Sequence, residues 1–224
     1  MKKKIFILFV FIVITSFYLG CSAKPDSIII EENLKFTPVL KSGEALTIIS
    51  DKEKMFRDCL SEAIKKKNIN VGIIPSIEFR TTVFIGMNDE KLKHDLDYFI
   101  FSLKKPEAIA KINEFNLRYI ILFECLTESK YLDTEWGAEG GYGGFVVFGI
   151  HTWERGTYIE AKLVDVKQDF GTGTISTRAT GKTELITTCL IPTIGWKAST
   201  EAEACEALAN KIVDYWANNK SDKD

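Results

Sequence analysis

The chain has 224 residues, 46% of them apolar and 12% aromatic, with 29 basic and 31 acidic side chains for a formal net charge of −2. That composition belongs to a folded domain and excludes a disordered tether. It also speaks against nucleic acid, because phosphate contacts need a concentrated basic surface, and the run Lys65-Lys66-Lys67 closes an expected helix, where positive charge suits the carboxyl end of the helix dipole.

Lys2, Lys3 and Lys4 open the chain, an apolar run starts at Ile5, and Tyr18-Leu19-Gly20 leads into Cys21. A basic start before an apolar stretch shorter than the roughly 20 residues of a bilayer core reads as an export signal over residues 1–20. Its end resembles the lipobox of bacterial lipoproteins, with Tyr18 standing where Leu, Val or Ile is usual. The resemblance implies cleavage before Cys21, a diacylglycerol on its sulfur and an acyl chain such as palmitate on the freed amine. Secretion after a small residue such as Ala23, or an uncleaved anchor, are the alternatives. Without the three leading lysines, 26 basic residues face 31 acidic ones, so the exported chain carries about −5.

Residues 21–45 contain Pro25, Pro38 and scattered charges and read as a lipidated tether with at most an early strand at Ser27–Ile30. One domain is expected over residues 46–219, opening with a strand at Thr47-Ile48-Ile49. Ser50 is positioned to cap a helix over Asp51–Lys67, in which Met55, Phe56, Cys59, Leu60 and Ala63 recur at helical spacing. A short strand at Val71–Ile74 and a brief helix after Pro75 follow. Asn88 then caps a helix striped by Leu92, Leu96, Phe99 and Leu103, and Pro106 opens another with Ile109, Ile112 and Phe115. The run Leu117–Leu126 is so continuously apolar that it belongs in a sheet centre, covered on both faces. Phe145–Trp153, Thr157–Val166, Thr172–Ala179 and Lys182–Ile191 read as an antiparallel meander, with Ile159, Ala161 and Leu163 alternating against Glu160 and Lys162. Thr200 and Glu203 form a capping box before a helix over Glu201–Asn218 whose broad apolar face must dock on the sheet. Residues 220–224 are a charged tail. The fold class is therefore α/β (α+β): a mixed sheet with a carboxyl-terminal antiparallel meander and helices packed on it.

With Cys21 lipidated, Cys59, Cys125, Cys189 and Cys205 remain. Export permits a disulfide, and Cys59 and Cys205, on the buried faces of two helices flanking the sheet, are the pair expected to come close. The alternative is that all four are small buried residues. No C-x-x-C or H-E-x-x-H occurs and the histidines are two, His94 and His151, so no metal and no cofactor are expected. Gly181-Lys182-Thr183 lacks the first glycine of a phosphate loop and reads as a hairpin turn, as does Asp169-Phe170-Gly171. No nucleophile elbow or spaced carboxylate pair supports catalysis. The segment Trp136–Phe145 holds five glycines between two expected strands. It reads either as a plain hairpin connection or as a recognition loop in which Trp136, Tyr142 and Trp153 supply the contact area, since aromatic anchors dominate many interfaces.

The Phe115-Asn-Leu-Arg-Tyr-Ile-Ile helix-to-strand step, the Ala161-Lys-Leu-Val-Asp165 strand and the closing helix entered through Thr200-Glu201-Ala-Glu-Ala-Cys205 follow the lipobox in an order similar to that of bacterial envelope lipoproteins. The layout resembles the α/β domain of the curli-secretion lipoprotein, of the lipoprotein activators of penicillin-binding proteins, and of the amino-terminal domain of TolB. The resemblance implies a binding or assembly module with an envelope protein partner, held in the membrane by its lipid. Ser22 follows Cys21 where an inner-membrane retention Asp would stand, which implies the outer membrane, facing the periplasm, in a cell that has one. An envelope enzyme such as a cell-wall hydrolase, or a small-ligand carrier, are the rival readings.

Overall fold

The computed structural model describes residues 22–84, 96–141, 144–188 and 192–218. Cys21 and the signal, the expected helix start at Asn88, His94, Tyr142, Cys189 and the tail lie outside the described residues. Eight strands and five helices are described: β1 (Ser22–Ala23), β2 (Ser27–Leu34), β3 (Ala45–Ile49), α1 (Glu53–Lys66), β4 (Gly72–Ile74), α2 (Ser76–Val83), α3 (Leu96–Leu103), α4 (Pro106–Glu114), β5 (Leu117–Gly141), β6 (Gly144–Asp165), β7 (Gly171–Thr188), β8 (Pro192–Ala198) and α5 (Thr200–Asn218). The single domain expected from sequence separates into two compact units. One comprises Met1–Ile29, Thr127–Thr157 and Arg178–Ala204, and the other Ile30–Leu126, Tyr158–Thr177 and Cys205–Asp224.

The second unit is an open, mixed α/β sheet in the order β2-β7-β6-β5-β3-β4. β3 lies parallel to both β4 and β5, the pairing expected where helices supply the crossovers. Residues 117–123 of β5 are the sheet centre, with Tyr119, Ile120 and Ile121 fully buried. Tyr119 and Phe123 face α5 and α1: Phe123 stacks on Phe56 at 4.3 Å and Tyr119 on Trp216 at 5.8 Å. On the opposite face Ile120 joins Phe79, Val83, Phe99, Leu103, Ala108 and Ile112 from α2, α3 and α4. A strand buried on both sides needs an apolar run, and this one has it from Tyr119 to Phe123, with the charge of Arg118 compensated by Asp165. α1 and α4 end where Asn68 and Asn116 take the left-handed conformation, at φ 52° and 48°. Asparagine tolerates that backbone, so both helix stops are written in the sequence. Cys59 of α1 and Cys205 of α5 are disulfide-bonded, with their Cα atoms 6.2 Å apart.

Arg118 and Asp165 form a buried ion pair at 2.7 Å beside Tyr119. Burial works against the guanidinium charge, but the Asp165 carboxylate outweighs it and holds Arg118 above its ordinary value. The Tyr119 hydroxyl donates to the Val39 carbonyl at 2.8 Å and accepts from the Val39 N–H at 2.7 Å. Burial, then the Asp165 charge, push this phenol well above its usual 10.0. The folded chain therefore resists an ionisation that the unfolded chain undergoes near pH 10, so the stability from this group is full below that pH and is lost as pH rises toward the folded value. Urea midpoints are expected to fall on the alkaline side, and Tyr119→Phe to flatten part of the fall. Identical pH profiles for the two proteins would contradict this.

In the first unit the strands run in the order β1-β8-β7-β6-β5. β8 is antiparallel to β7, pairing Glu184 with Trp196 and Ile186 with Ile194, and β1 is parallel to β8, with Ser22 opposite Lys197. Residues 22–23 and 27–34 pair in the sheet, with β8 and β7 respectively; the early strand expected at Ser27–Ile30 is present as β2 and runs on to Leu34.

Other expectations change for physical reasons. The four expected meander strands are two long ones, with Gly156 inside β6 and Gly181-Lys182-Thr183 inside β7 rather than in turns. Gly181 serves close packing: a Cβ there would lie 2.8 Å from that of Ala198 and 3.1 Å from the Pro25 Cα. The turn at Asp169-Phe170 does form, with both residues at positive φ. Thr200 does not cap α5. It is the buried first residue of the helix, with its hydroxyl 2.9 Å from that of Thr157, while the Glu203 N–H donates to the Ser199 carbonyl. Nor does Ser50 cap α1; its hydroxyl accepts from the Lys52 N–H at 3.0 Å.

Candidate recognition surface

The glycine-rich segment is strand up to Gly141 and again from Gly144, so most of the expected loop belongs to the paired strands β5 and β6; Tyr142 lies outside the described residues. Glycine has a packing role here too. The Phe148 ring covers Gly137 so closely that a Cβ would meet its Cζ at 2.4 Å. Of the residues expected to make the surface, Trp136 lies on β5 and is 68% exposed, and Trp153 lies on β6 and is half-buried.

The structure gathers three further residues around those two tryptophans. Trp153 packs edge-on against Tyr131 at 5.8 Å and stacks on His151 at 6.0 Å, and His151 meets Trp136 edge-on at 6.1 Å. Thr134 Oγ1 lies 2.9 Å from His151 Nδ1 and also contacts the Tyr131 hydroxyl. His151 and Trp153 share a face because they are two apart on one strand. Tyr131 and Thr134 are three apart, and in a regular strand they would point to opposite faces. Both are nonetheless drawn to the His151/Trp153 pair, Tyr131 by its ring and Thr134 by its hydroxyl. The pair His151/Trp153 could have been found from its spacing; no sequence signal marks Tyr131 and Thr134 as its partners.

The outer half of β5 is open to solvent on both faces. Residues 128–133, 135, 136 and 138 are all exposed, with Tyr131 at 51% and Leu132 at 42%. Glu128, Asp133 and Glu135 on this strand, and Glu154 on β6, are exposed carboxylates, against Lys130 as the exposed cation of the same stretch of β5. Such a surface can stack on apolar or cationic groups and accept hydrogen bonds; its polar atoms orient the rings. Among the described residues no group of three or more His, Cys, Asp or Glu is arranged to hold a metal ion, and no helix is long and apolar enough to cross a membrane.

No family model matches the chain, and no curated protein matches it. Among solved structures it is similar to a PelC dodecamer from Paraburkholderia phytofirmans, 11% identical, with a TM-score of 0.41 over 84% of this chain and 96% of that one. A single-substitution form of the same dodecamer gives 13% identity and a TM-score of 0.41 over 84% and 97%. A minor lipoprotein from Acinetobacter baumannii gives 10% identity and a TM-score of 0.28 over 79% and 94%. At such identities and superpositions these likenesses assign no role to the chain.

Proposed function

We propose that this chain is a lipid-anchored envelope protein that works by binding rather than by chemistry, and that the exposed aromatic group on the β5–β6 hairpin is its recognition surface. The observation that carries the reading is Trp136, a large ring left 68% exposed on a strand that neither face of the sheet covers. Burying apolar surface is favourable by about 25 cal/mol per Å², so an aromatic cluster left open is best explained by a partner that closes it. Loops and edges on a rigid scaffold carry binding more often than packed strands do. The proposed surface also takes in Trp153, which packs on Tyr131 and His151, and Tyr142, which lies outside the described residues.

Cys21 is the proposed lipid attachment, and Ser22 beside it already pairs with Lys197. The lipid would then join the first unit beside a residue already paired in its sheet, and the Ser22 rule makes the membrane the outer one in a two-membrane cell. The enzyme reading has one point in its favour, the Thr134–His151 contact. That hydroxyl is shared with Tyr131 on an open strand, an arrangement that orients rings instead of activating a nucleophile.

Because a single acyl chain binds only marginally, the several chains of a lipoprotein should keep the wild-type protein in the membrane fraction, and Cys21→Ala should release it. Mass spectrometry of the mature protein checks this. An unmodified amino terminus downstream of Cys21 would show that the anchor reading is wrong.

A further inference from the structure

We propose that the outer half of β5 binds an extended, basic polypeptide segment by strand addition, the segment lying along the free edge of residues 127–141. This rests on the recognition surface just described and names how it is used. β5 has two neighbours, β6 and β3. The β3 ladder ends where Ile49 pairs with Leu122, so beyond that point no described strand lies along this side of β5. What remains is a row of backbone N–H and C=O groups that no described strand pairs on this side, the Thr134 N–H being taken by Asp133 Oδ1, and such a row is a template for another strand.

Charge selects the occupant. Between Thr127 and Ala138 the exposed strand carries Glu128, Asp133 and Glu135 against Lys130. An identical edge from a second copy would bring three more carboxylates and one lysine, setting net negative charge against net negative charge, which disfavours the pairing. A strand bearing Lys or Arg would instead meet opposite charge, and its cations on the Tyr131 face would reach the rings of Tyr131 and Trp136. The backbone ladder then gives affinity, and the carboxylates and rings give selection.

The test titrates the full lipidated chain in detergent with short synthetic peptides, read by tryptophan fluorescence. A peptide of alternating lysine and valine is expected to bind, more weakly as salt rises. The same peptide N-methylated on alternate residues, which keeps its charges but cannot complete a ladder, should bind about tenfold more weakly or worse, as should an alternating glutamate and valine peptide. Trp136→Ala should weaken binding without unfolding the protein. Equal binding of the N-methylated peptide would overturn strand addition, and if Trp136→Ala still weakened it, the recognition surface itself would stand. Equal binding of the acidic peptide, no peptide binding at all, or self-association that displaces the peptide would each overturn the proposal as well.

Discussion

Replacing Cys59 by Ser, or reducing the protein, is expected to lower its stability to unfolding by about 3–5 kcal/mol. The bond joins α1 to α5 across a sequence separation of 146, and its Cα atoms are 6.2 Å apart, a span that a disulfide bridges without backbone movement. In the chain-entropy account the stabilisation comes from the unfolded state, where closing so long a loop removes many conformations. Folded packing should change little, since Cys205 is fully buried among Ala204, Leu208 and Ala209 on the apolar side of α5. Denaturant midpoints with and without reductant measure the effect. Coincident curves would mean that the bond does not form in the folded protein.

Asp165→Ala should cost a similar amount, about 3–5 kcal/mol, for an opposite reason: the penalty falls on the folded state. Asp165 is fully buried, and one of its oxygens takes Arg118 Nη2 at 2.7 Å. The other accepts from the backbone N–H groups of Lys167 and Gln168 at 3.0 and 3.1 Å and so shapes the turn out of β6. Removing the carboxylate leaves a buried guanidinium without its counter-charge, and breaking a buried pair from one side is what makes it expensive. Arg118→Met combined with Asp165→Ala should therefore recover part of the loss. Urea unfolding of the single and double variants tests this, and strict additivity of the two substitutions would contradict it.

The parts of the fold legible in the sequence are those where one local rule acts alone. Of the expected run Leu117–Leu126, the part up to Phe123 is the sheet centre, because a strand covered on both faces needs apolar residues, whereas Leu126 is exposed; Ile159, Ala161 and Leu163 could be oriented because alternation exposes one face only. Glycine misled where its two uses compete. Gly181 and Gly156 read as turns, yet both lie inside long strands, and at 181 the missing side chain makes room for Ala198 and Pro25, residues far away in sequence. The same ambiguity made a loop of Trp136–Phe145, which is strand over residues 136–141 and 144–145. Trp136 and Trp153 were identifiable as large aromatics beside glycine. His151 was identifiable from its two-residue spacing to Trp153; Tyr131 and Thr134 were not, because the strand pairing that brings them to Trp153 and His151 is a tertiary feature of the hairpin.

The claim that function resides on this hairpin is tested most directly by affinity capture from detergent-solubilised envelope, comparing the lipidated wild-type chain with a Trp136→Ala/Tyr131→Ala variant. Both side chains are exposed, so the variant should keep the wild-type unfolding midpoint to within about 0.5 kcal/mol. The account predicts that at least one protein captured by the wild type is lost from the equally stable, equally lipidated variant. Identical captured sets would contradict it and leave the hairpin as a connection only.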